Sequence, residues 1–274
     1  VERGFNAIDT ADSYSAWAPG LSGGESETVM GKWLAKRGRR DDVVIMTKVG
    51  SLEARKGLKA GNIAAAVEDS LKRLQTDYLD VYFAHIDDDS VPLEETLGAF
   101  SKLVDAGKVR TMGASNYNAG RLREALGISE ENGLSRYEVI QPGYNLYDRA
   151  GYESELAGVV REEGLGVVAY FALASGFLTG KYSSKADLEG VPRAAFLEGF
   201  FDDRGMRLLD ALRRVSEQVG ATPAQVALAW LMGRPSVTPI ASATSLEQLD
   251  DILGAADLDL PRDALDALGR ASAG

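Results

Sequence analysis

YLDVYFAHI, residues 78–86, is a short, mainly apolar run that contains the one histidine of the chain near its end. Continuous runs of this kind are typical of strands buried on both faces of a parallel sheet. Six further runs share this character: FNAIDTA (5–11), DVVIMTKV (42–49), KVRTMGAS (108–115), YEVIQPGY (137–144), LGVVAYFAL (165–173) and SVTPIASA (236–243). The sequence therefore predicts seven buried parallel strands.

Helical patterns lie between these strands. The segment NIAAAVEDSLKRLQ (62–75) carries apolar residues three and four positions apart, and PLEETLGAFSKLVDAG (92–107) has Pro at its start and Gly at its end. Both features are typical of amphipathic helices with defined ends. Further helices are predicted at 26–38, 121–126, 152–164, 222–233, 245–255 and 261–271. Alternating strands and helices predict an α/β fold with a parallel sheet.

The spacing of the strands favours a closed barrel over an open sheet. The predicted strand ends lie 26 to 39 residues apart, and a (β/α)8 barrel of roughly 250 residues averages about 31 per unit. No GxGxxG follows the first strand, so the doubly wound dinucleotide fold lacks its main signal. We predict a single (β/α)8 TIM-barrel domain over residues 1–274, with a long loop at about 174–204 over one end of the barrel.

Composition excludes several classes of function. The 274 residues carry 30 Lys and Arg against 41 Asp and Glu, a net charge of −11, which disfavours nucleic acid as a partner. The chain has no Cys and one His, which excludes disulfides and a multi-histidine metal site. No apolar run approaches the ~20 residues of a membrane span. The opening VERGFNAIDT has no signal-peptide pattern. We expect a cytoplasmic protein of undetermined oligomeric state.

Polar residues stand where six successive strands end. Active sites of such barrels lie at the carboxyl ends of the strands. One polar residue at a strand end is usually structural, but six in succession predict an active site. These residues are Asp9, Lys48, His85, Ser115 with Asn116, Gln141 and Tyr170.

Three of these strand-end residues, together with Tyr14 five residues after Asp9, suggest proton-transfer chemistry. An ammonium group close to a tyrosine favours the phenolate, so Lys48 near Tyr14 would make that phenol a better acid. Asp9 would hold Lys48, and His85 would orient a carbonyl oxygen. No side chain supplies a hydride, so a nicotinamide cofactor is implied.

Each residue also has a structural interpretation. Asp9 could cap a turn, Tyr14 could be a packing residue and His85 could bind backbone in the core. The run Asp87 to Asp89 could hold a divalent cation, but an acidic turn before the next helix is favoured.

The chain resembles the aldo-keto reductase superfamily from residue 1 to about residue 255. The resemblance rests on the motifs AIDTADSY, MTKVG, VYFAHIDDD, GKVRTMGASNY, IQPGYNLYDR and GFLTGKY in this order. It implies a (β/α)8 barrel that uses NAD(P)H to reduce aldehydes or ketones. The family's catalytic tetrad falls on Asp9, Tyr14, Lys48 and His85, with Tyr14 as proton donor. The residues that bind the nicotinamide carboxamide match Ser115, Asn116 and Gln141, and Tyr170 matches the aromatic that stacks on the nicotinamide ring.

The resemblance also assigns the residues that bind the rest of the cofactor, although some positions of this chain depart from the family pattern. Tyr-Phe-Ala-Leu replaces the commoner Tyr-Ser-Pro-Leu after the strand that ends at Tyr170, and Ile252 stands where the family usually has Asn. Two cations in the long loop match positions near a 2′-phosphate, which favours NADPH over NADH. The residues implied for the pyrophosphate and adenosine are Phe171, Leu173, Ser175, Gly176, Lys181, Arg193, Ser242, Thr244, Gln248 and Asp251.

Other interpretations stay open at this point. The superfamily includes potassium-channel β subunits, so a nucleotide-binding regulatory or scaffold protein with residual catalysis is the main alternative. A lyase or hydrolase with Lys48 as a Schiff-base amine is another. The substrate is a small carbonyl compound that the sequence does not identify. We expect Trp17, Ile86, Tyr117 and Tyr144 to line its pocket.

The opening residues resemble the end of the first barrel helix and the second strand of this family. The chain would then contain strands two to eight and lack the first strand–helix unit. We expect that residues precede Val1 in the natural protein. A truncated chain whose gap is filled by a partner is the less favoured explanation.

Overall fold

The computed structural model describes residues 1–191 and 194–273. Contacts along the chain divide it into two compact units. Unit 1 comprises Val1–Gln141 with Val159–Leu165, and unit 2 comprises Pro142–Gly158 with Gly166–Gly274. The single domain therefore stays a prediction.

Unit 1 contains a parallel sheet of strands that pair in sequence order. Its registers align Ile8 with Ile45, Lys48 with Phe83, and Ser115 with Gln141. The carboxyl ends of the strands consequently lie along one edge of the sheet, as the strand-end argument requires. The strands are β1 (Ala7–Asp9), β2 (Val44–Val49), β3 (Leu79–Ala84), β4 (Val109–Ser115) and β5 (Tyr137–Gln141).

Amphipathic helices follow these strands. The helix predicted at 62–75 buries Ile63, Val67, Leu71 and Leu74, as its apolar spacing predicts. The helices are α1 (Glu25–Arg37), α2 (Ala60–Leu74), α3 (Leu93–Asp105), α4 (Ala119–Asn132) and α5 (Ala157–Glu163), which the boundary between the units crosses. A 3₁₀ turn lies at Glu53–Arg55, and the π turn at Tyr152–Leu156 before α5 belongs to unit 2.

Unit 2 pairs two parallel strands, β6 (Gly166–Ala169) and β7 (Val237–Pro239). The helix predicted at 222–233 begins with a capping box in which Thr222 and Gln225 satisfy each other's backbone N–H groups. The helices are α6 (Ala194–Leu197), α7 (Asp203–Val219), α8 (Pro223–Met232), α9 (Leu246–Leu253) and α10 (Arg262–Ser272).

Helix α7 was not predicted from the sequence. It runs for 17 residues, is capped by the Asp202 carboxylate on the Gly205 amide at 2.7 Å, and buries Leu208, Leu212 and Val215. Its apolar spacing is present in the sequence, but Gly and Pro upstream gave the whole interval the appearance of a loop. The stretch before it consists of short turns and α6: the 3₁₀ turns are Ala174–Thr179, Lys185–Leu188 and Glu198–Phe200.

Through the described ranges 1–191 and 194–273, none of the helices combines the length and apolarity needed to cross a bilayer.

Two helical glycines provide a test of the packing in unit 1. A Cβ at Gly31 in α1 would lie 2.0 Å from the Arg73 carbonyl oxygen, whereas a Cβ at Gly98 in α3 would meet nothing within 4 Å. We expect Gly31→Ala to destabilise the fold at the upper end of about 1–3 kcal/mol, because backbone cannot move aside as a side chain can. Gly98→Ala should instead stabilise it by about 0.5–1 kcal/mol. Urea unfolding of both variants measures the two effects, and equal stabilities would contradict the contact between α1 and the end of α2.

Candidate active site

The Lys48 side chain lies at the carboxyl end of β2 and is completely buried. Its ammonium group donates to Asp9 Oδ2 at 2.7 Å, to the Thr10 carbonyl at 2.7 Å and to the Tyr14 hydroxyl at 2.8 Å. Three acceptors satisfy the three N–H donors of an ammonium group. The predicted Asp, Tyr and Lys members of the tetrad are therefore in direct contact.

Asp9 joins the remaining parts of this network. The Tyr14 hydroxyl donates to Asp9 Oδ2 at 3.1 Å, and Gln141 Nε2 donates to Asp9 Oδ1 at 2.8 Å. Both carboxylate oxygens are thus engaged by groups from the other end of the sheet and from the loop after β1. The carboxylate is fixed in position, and it fixes the ammonium of Lys48 in turn.

Burial and charge act in opposite directions on Lys48. Burial lowers the pKa of its ammonium group, while Asp9 at hydrogen-bond distance, and then the carboxyls of Asp12 and Glu27, raise it. An ammonium that is desolvated but paired exerts a strong field on a group in contact with it, because little water screens the charge. The Tyr14 oxygen is such a group.

His85 lies beside Tyr14, with the two ring centres 6.1 Å apart in an edge-on arrangement. Burial, followed by the Lys48 charge, lowers the pKa of His85 to about 4, so the imidazole is neutral at pH 7. Ser13 Oγ lies 3.4 Å from His85 Nδ1. If Nδ1 accepts from Ser13, Nε2 carries the proton and can donate it in a hydrogen bond to a carbonyl oxygen.

The predicted carboxamide-binding residues form a chain of hydrogen bonds at the ends of β4 and β5. Ser115 Oγ donates to the Gln141 carbonyl at 2.9 Å, and Asn116 Nδ2 donates to the His85 carbonyl at 2.8 Å and to Ser115 Oγ at 3.2 Å. Asn116 adopts a left-handed backbone conformation with φ of 60°. The structure therefore unites Ser115, Asn116 and Gln141 with the tetrad within unit 1.

Tyr170 belongs to unit 2, immediately after β6. It forms an isolated parallel β-bridge with Gly143, and a Cβ at Gly143 would lie 3.3 Å from the Tyr170 ring. The Tyr144 amide donates to the Tyr170 carbonyl at 3.2 Å. A residue without a side chain thus lets the Tyr170 ring lie against the backbone after β5.

The turn after Tyr170 has an unusual backbone. Phe171, Ala174 and Ser175 have positive φ angles of 54°, 47° and 57° without being glycine. Residues held in this region are strained and cluster at functional sites. Lys181 lies against the same turn, because a Cβ at Gly176 would be 3.7 Å from its Nζ.

Only some of the residues predicted to bind adenosine contact one another. Gln248 Oε1 accepts from both the amide and the hydroxyl of Thr244, each at 3.0 Å. The Asp251 carboxylate accepts instead from the Thr222 hydroxyl at 2.9 Å. Among the described residues, no hydrogen bond or ion pair links Ser242, Thr244 or Gln248 to Lys181. Arg193 lies outside the described residues.

Two functional contacts were missed by sequence reasoning. The Thr10 carbonyl binds Lys48, and the Ser13 hydroxyl approaches His85. Both residues stand within the quoted motif AIDTADSY, but no periodicity predicts which loop atoms point at a site. The Asp12 carboxyl, from the same loop, was likewise missed.

The acidic run after β3 has structural partners. Arg121 pairs with Asp87 at 3.0 Å, and Asp88 accepts from the Leu58 amide at 2.8 Å and from Ser90. These contacts agree with the acidic turn that the sequence favours over a cation site.

The expected substrate lining is wrong at two positions. Tyr117 is 4% exposed and its hydroxyl meets that of Tyr137, and Tyr144 is 1% exposed and donates to Glu153 at 2.6 Å. Both rings are core residues whose hydroxyl groups are engaged by neighbouring side chains rather than facing a pocket. Trp17 is 74% exposed and packs edge-on to Tyr14, with ring centres 5.9 Å apart.

Comparison with known proteins agrees with this geometry. A sequence model of the Aldo/keto reductase family matches residues 1–272. A protein of Schizosaccharomyces pombe named as a voltage-gated potassium channel subunit beta is 36% identical over 90% of the chain and 74% of the relative. Protein tas of Escherichia coli is 34% identical over 97% of the chain and 84% of the relative. The uncharacterized oxidoreductase YrpG of Bacillus subtilis is also 34% identical, over 97% of the chain and 82% of the relative.

The chain belongs to the aldo/keto reductase family. Family membership confirms the predicted (β/α)8 barrel class, and the parallel strands and intervening helices described above agree with it. The family uses nicotinamide cofactors, so the class of chemistry is NAD(P)H-dependent oxidoreduction.

Proposed function

We propose that this protein is a carbonyl reductase that converts aldehydes or ketones to alcohols, with Tyr14 as the proton donor. The observation that carries the proposal is the contact of one buried ammonium, Lys48, with both the Tyr14 hydroxyl at 2.8 Å and the Asp9 carboxylate at 2.7 Å. The nicotinamide, when bound, supplies the hydride. The protein residues supply the proton and the electrostatic setting.

Each member of the tetrad has a distinct task. The Tyr14 hydroxyl gives its proton to the substrate oxygen as negative charge develops there. Lys48 stabilises the tyrosinate that remains, because its ammonium already contacts that oxygen. Asp9 keeps Lys48 charged and in place. The neutral imidazole of His85 donates a hydrogen bond that orients the carbonyl.

The chain contains residues that fit a nicotinamide dinucleotide. Gln141 Oε1 has no hydrogen bond among the described residues and is available to accept from a carboxamide N–H, beside Ser115 and Asn116. We assign Tyr170 to ring stacking. Within unit 2, the strained turn at Phe171 to Gly176 and the ammonium of Lys181 suit a pyrophosphate or phosphate group. We assign the adenosine to the surface that includes Ser242, Thr244, Gln248 and Asp251.

A carbonyl panel tests this function directly. Purified protein is mixed with NADPH or NADH and with aliphatic aldehydes, aromatic aldehydes and ketones, and loss of absorbance at the reduced-nicotinamide band is followed. Fluorescence titration of each cofactor is run in parallel. Turnover with at least one carbonyl class supports the reductase. Cofactor binding without turnover of any carbonyl would favour a regulatory nucleotide-binding protein, a role for which the name of the Schizosaccharomyces pombe relative is the supporting observation.

A preference for NADPH over NADH is part of the proposal. Lys181 supports this preference, because its ammonium group lies against Gly176 in the turn assigned to the phosphate. We expect Lys181→Ala to raise the KM for NADPH about tenfold or more, since a charged hydrogen bond contributes roughly 1.5–3 kcal/mol, while the KM for NADH changes little. Lys185→Ala, an exposed cation of the same segment, is the matched control. A wild-type enzyme with equal kcat/KM for both cofactors, unaltered in Lys181→Ala, contradicts the preference.

A further inference from the structure

The Asp12 carboxyl is a buried group that the mechanism above does not use. The residue is 1% exposed, and neither carboxyl oxygen is accessible or accepts a hydrogen bond of standard geometry from residues 1–191 or 194–273. Its amide donates to the Lys48 carbonyl at 3.3 Å, so it lies directly against the strand that carries the catalytic lysine. A buried carboxyl without partners is costly to keep and therefore invites a functional explanation.

Charged groups on three neighbouring elements act electrostatically on Asp12. Glu27 from α1 is fully buried and accepts from Thr47 Oγ1 and from Arg73 Nε, each at 2.6 Å. Arg73 comes from α2, and Lys48 from β2. Tyr82 from β3 is fully buried, and its hydroxyl also has no hydrogen-bond partner in the part of the chain that the structure describes. Two cations and one further carboxylate thus act on a carboxyl that accepts no hydrogen bond of standard geometry from the described residues.

This setting makes the charge of Asp12 sensitive to pH. Burial, and then the Glu27 charge, raise the pKa of Asp12 to about 7, against the opposing influence of Arg73, the Ser13 amide and Lys48. The coupling is mutual, because an ionised Asp12 raises the pKa of the Lys48 ammonium. Lys48 therefore has one directly bound carboxylate, Asp9, and a second carboxyl nearby whose charge is variable.

We propose that Asp12 is a positioning residue for the Lys48–Tyr14 pair and that it acts through its charge. Ionised Asp12 offsets the field of the Lys48 ammonium at the Tyr14 oxygen. Protonated Asp12 leaves that field at full strength. This role rests on the proposed reductase function. The carboxyl touches neither substrate nor cofactor in this role, and it acts only through Lys48.

The direction of the effect follows from the charges. Below pH 7, neutral Asp12 leaves the ammonium free to stabilise the developing tyrosinate, and carbonyl reduction is faster. Above pH 7, the added negative charge opposes the loss of the Tyr14 proton, and reduction slows. We expect kcat of the wild type to fall about 3–10-fold through this range, since a change of one pKa unit corresponds to tenfold. Asp12→Asn, which is neutral at every pH, should not show this step.

The first measurement needs no substrate. Melting temperatures of the wild type, Asp12→Asn and the control Asp105→Asn, an exposed carboxyl at the end of α3, are recorded from pH 4 to pH 9. A carboxyl whose pKa is higher in the folded than in the unfolded chain contributes stability at low pH. That stability is lost between the unfolded value of about 4 and the folded value of about 7. The wild type and Asp105→Asn should lose stability across this window relative to Asp12→Asn, and parallel curves for all three overturn the proposal.

The second measurement reads Lys48 itself. The chain is labelled with 13Cε-lysine, and the Lys48 resonance is identified by its disappearance in Lys48→Met. We expect the midpoint of the Lys48 titration to fall in Asp12→Asn relative to the wild type, and an unchanged midpoint overturns the proposal. If the Asn variant does not fold, the 13C titration of the wild-type Asp12 carboxyl decides, with a midpoint near 7 expected and one below 5 overturning it.

The pH–rate profile completes the test with the same proteins. Profiles of wild type and Asp12→Asn that superimpose through pH 7 overturn the positioning role. If the wild type reduces no carbonyl with either cofactor, the proposed function fails. The melting and lysine titrations then still decide whether Asp12 controls the charge on Lys48.

Discussion

Tyr14→Phe is expected to lower kcat for carbonyl reduction about 10²–10⁴-fold, the range that a positioned general acid contributes. The hydroxyl is the group that both Lys48 and Asp9 contact, at 2.8 and 3.1 Å, so its removal takes away the proton without removing the network that surrounds it. The ring also keeps its edge-on contact with Trp17. Stopped-flow loss of reduced-nicotinamide absorbance measures the hydride step directly.

Cofactor affinity separates this loss from a folding defect. The Tyr14 hydroxyl contacts Lys48 and Asp9, which are assigned to proton transfer rather than to cofactor binding, so Tyr14→Phe should bind NADPH with a Kd within about twofold of the wild type. Tyr78→Phe is the matched control, because Tyr78 lies immediately before β3 and its ring is stacked by Arg40 and Arg110. Full activity in Tyr14→Phe means that another group donates the proton. Equal losses in both variants would point to a general effect of losing a phenol.

Much of this site was predictable because the fold repeats one unit. Each strand of the family barrel starts a new repeat, so a polar residue at the end of a buried run must lie on the carboxyl edge of the sheet. That rule is enough to place Asp9, Lys48, Ser115 and Gln141 together from the sequence alone. The direct hydrogen bond from Gln141 to Asp9 was not predicted, since strand ends define an edge but not the contacts along it.

The rest of the site depends on loop geometry that has no period. Asp12 and Ser13 stand next to each other after β1. The Asp12 carboxyl is buried and accepts no hydrogen bond of standard geometry from the described residues, whereas the Ser13 hydroxyl approaches His85. Tyr117 follows a strand end just as Asn116 does, but its ring turns inward to meet Tyr137. Such choices are made by close packing among distant segments, which a single sequence does not display.

The Lys48 ammonium is expected to be needed for both stability and catalysis, and these two roles can be separated. Lys48→Met keeps the length of the side chain but leaves the Asp9 carboxylate, whose side chain is 8% exposed, without its cation. Removing one partner of a buried ion pair typically destabilises a protein by about 3–5 kcal/mol, because the other charge stays buried and unpaired. Loss of the group that stabilises the tyrosinate should also lower kcat by about 10²–10³-fold.

The double variant Asp9→Asn with Lys48→Met divides the effect. It removes the orphaned charge while Asn can still accept the hydrogen bond that Gln141 Nε2 gives to Asp9 Oδ1 at 2.8 Å. We therefore expect most of the lost stability to return in urea unfolding, with activity still reduced at least as much as in Lys48→Met. A double variant no more stable than Lys48→Met would mean that lost packing, not an unpaired carboxylate, causes the destabilisation. Recovery of activity along with stability would show that the ammonium only holds the fold, and the role of Lys48 as the partner of Tyr14 would have to be abandoned.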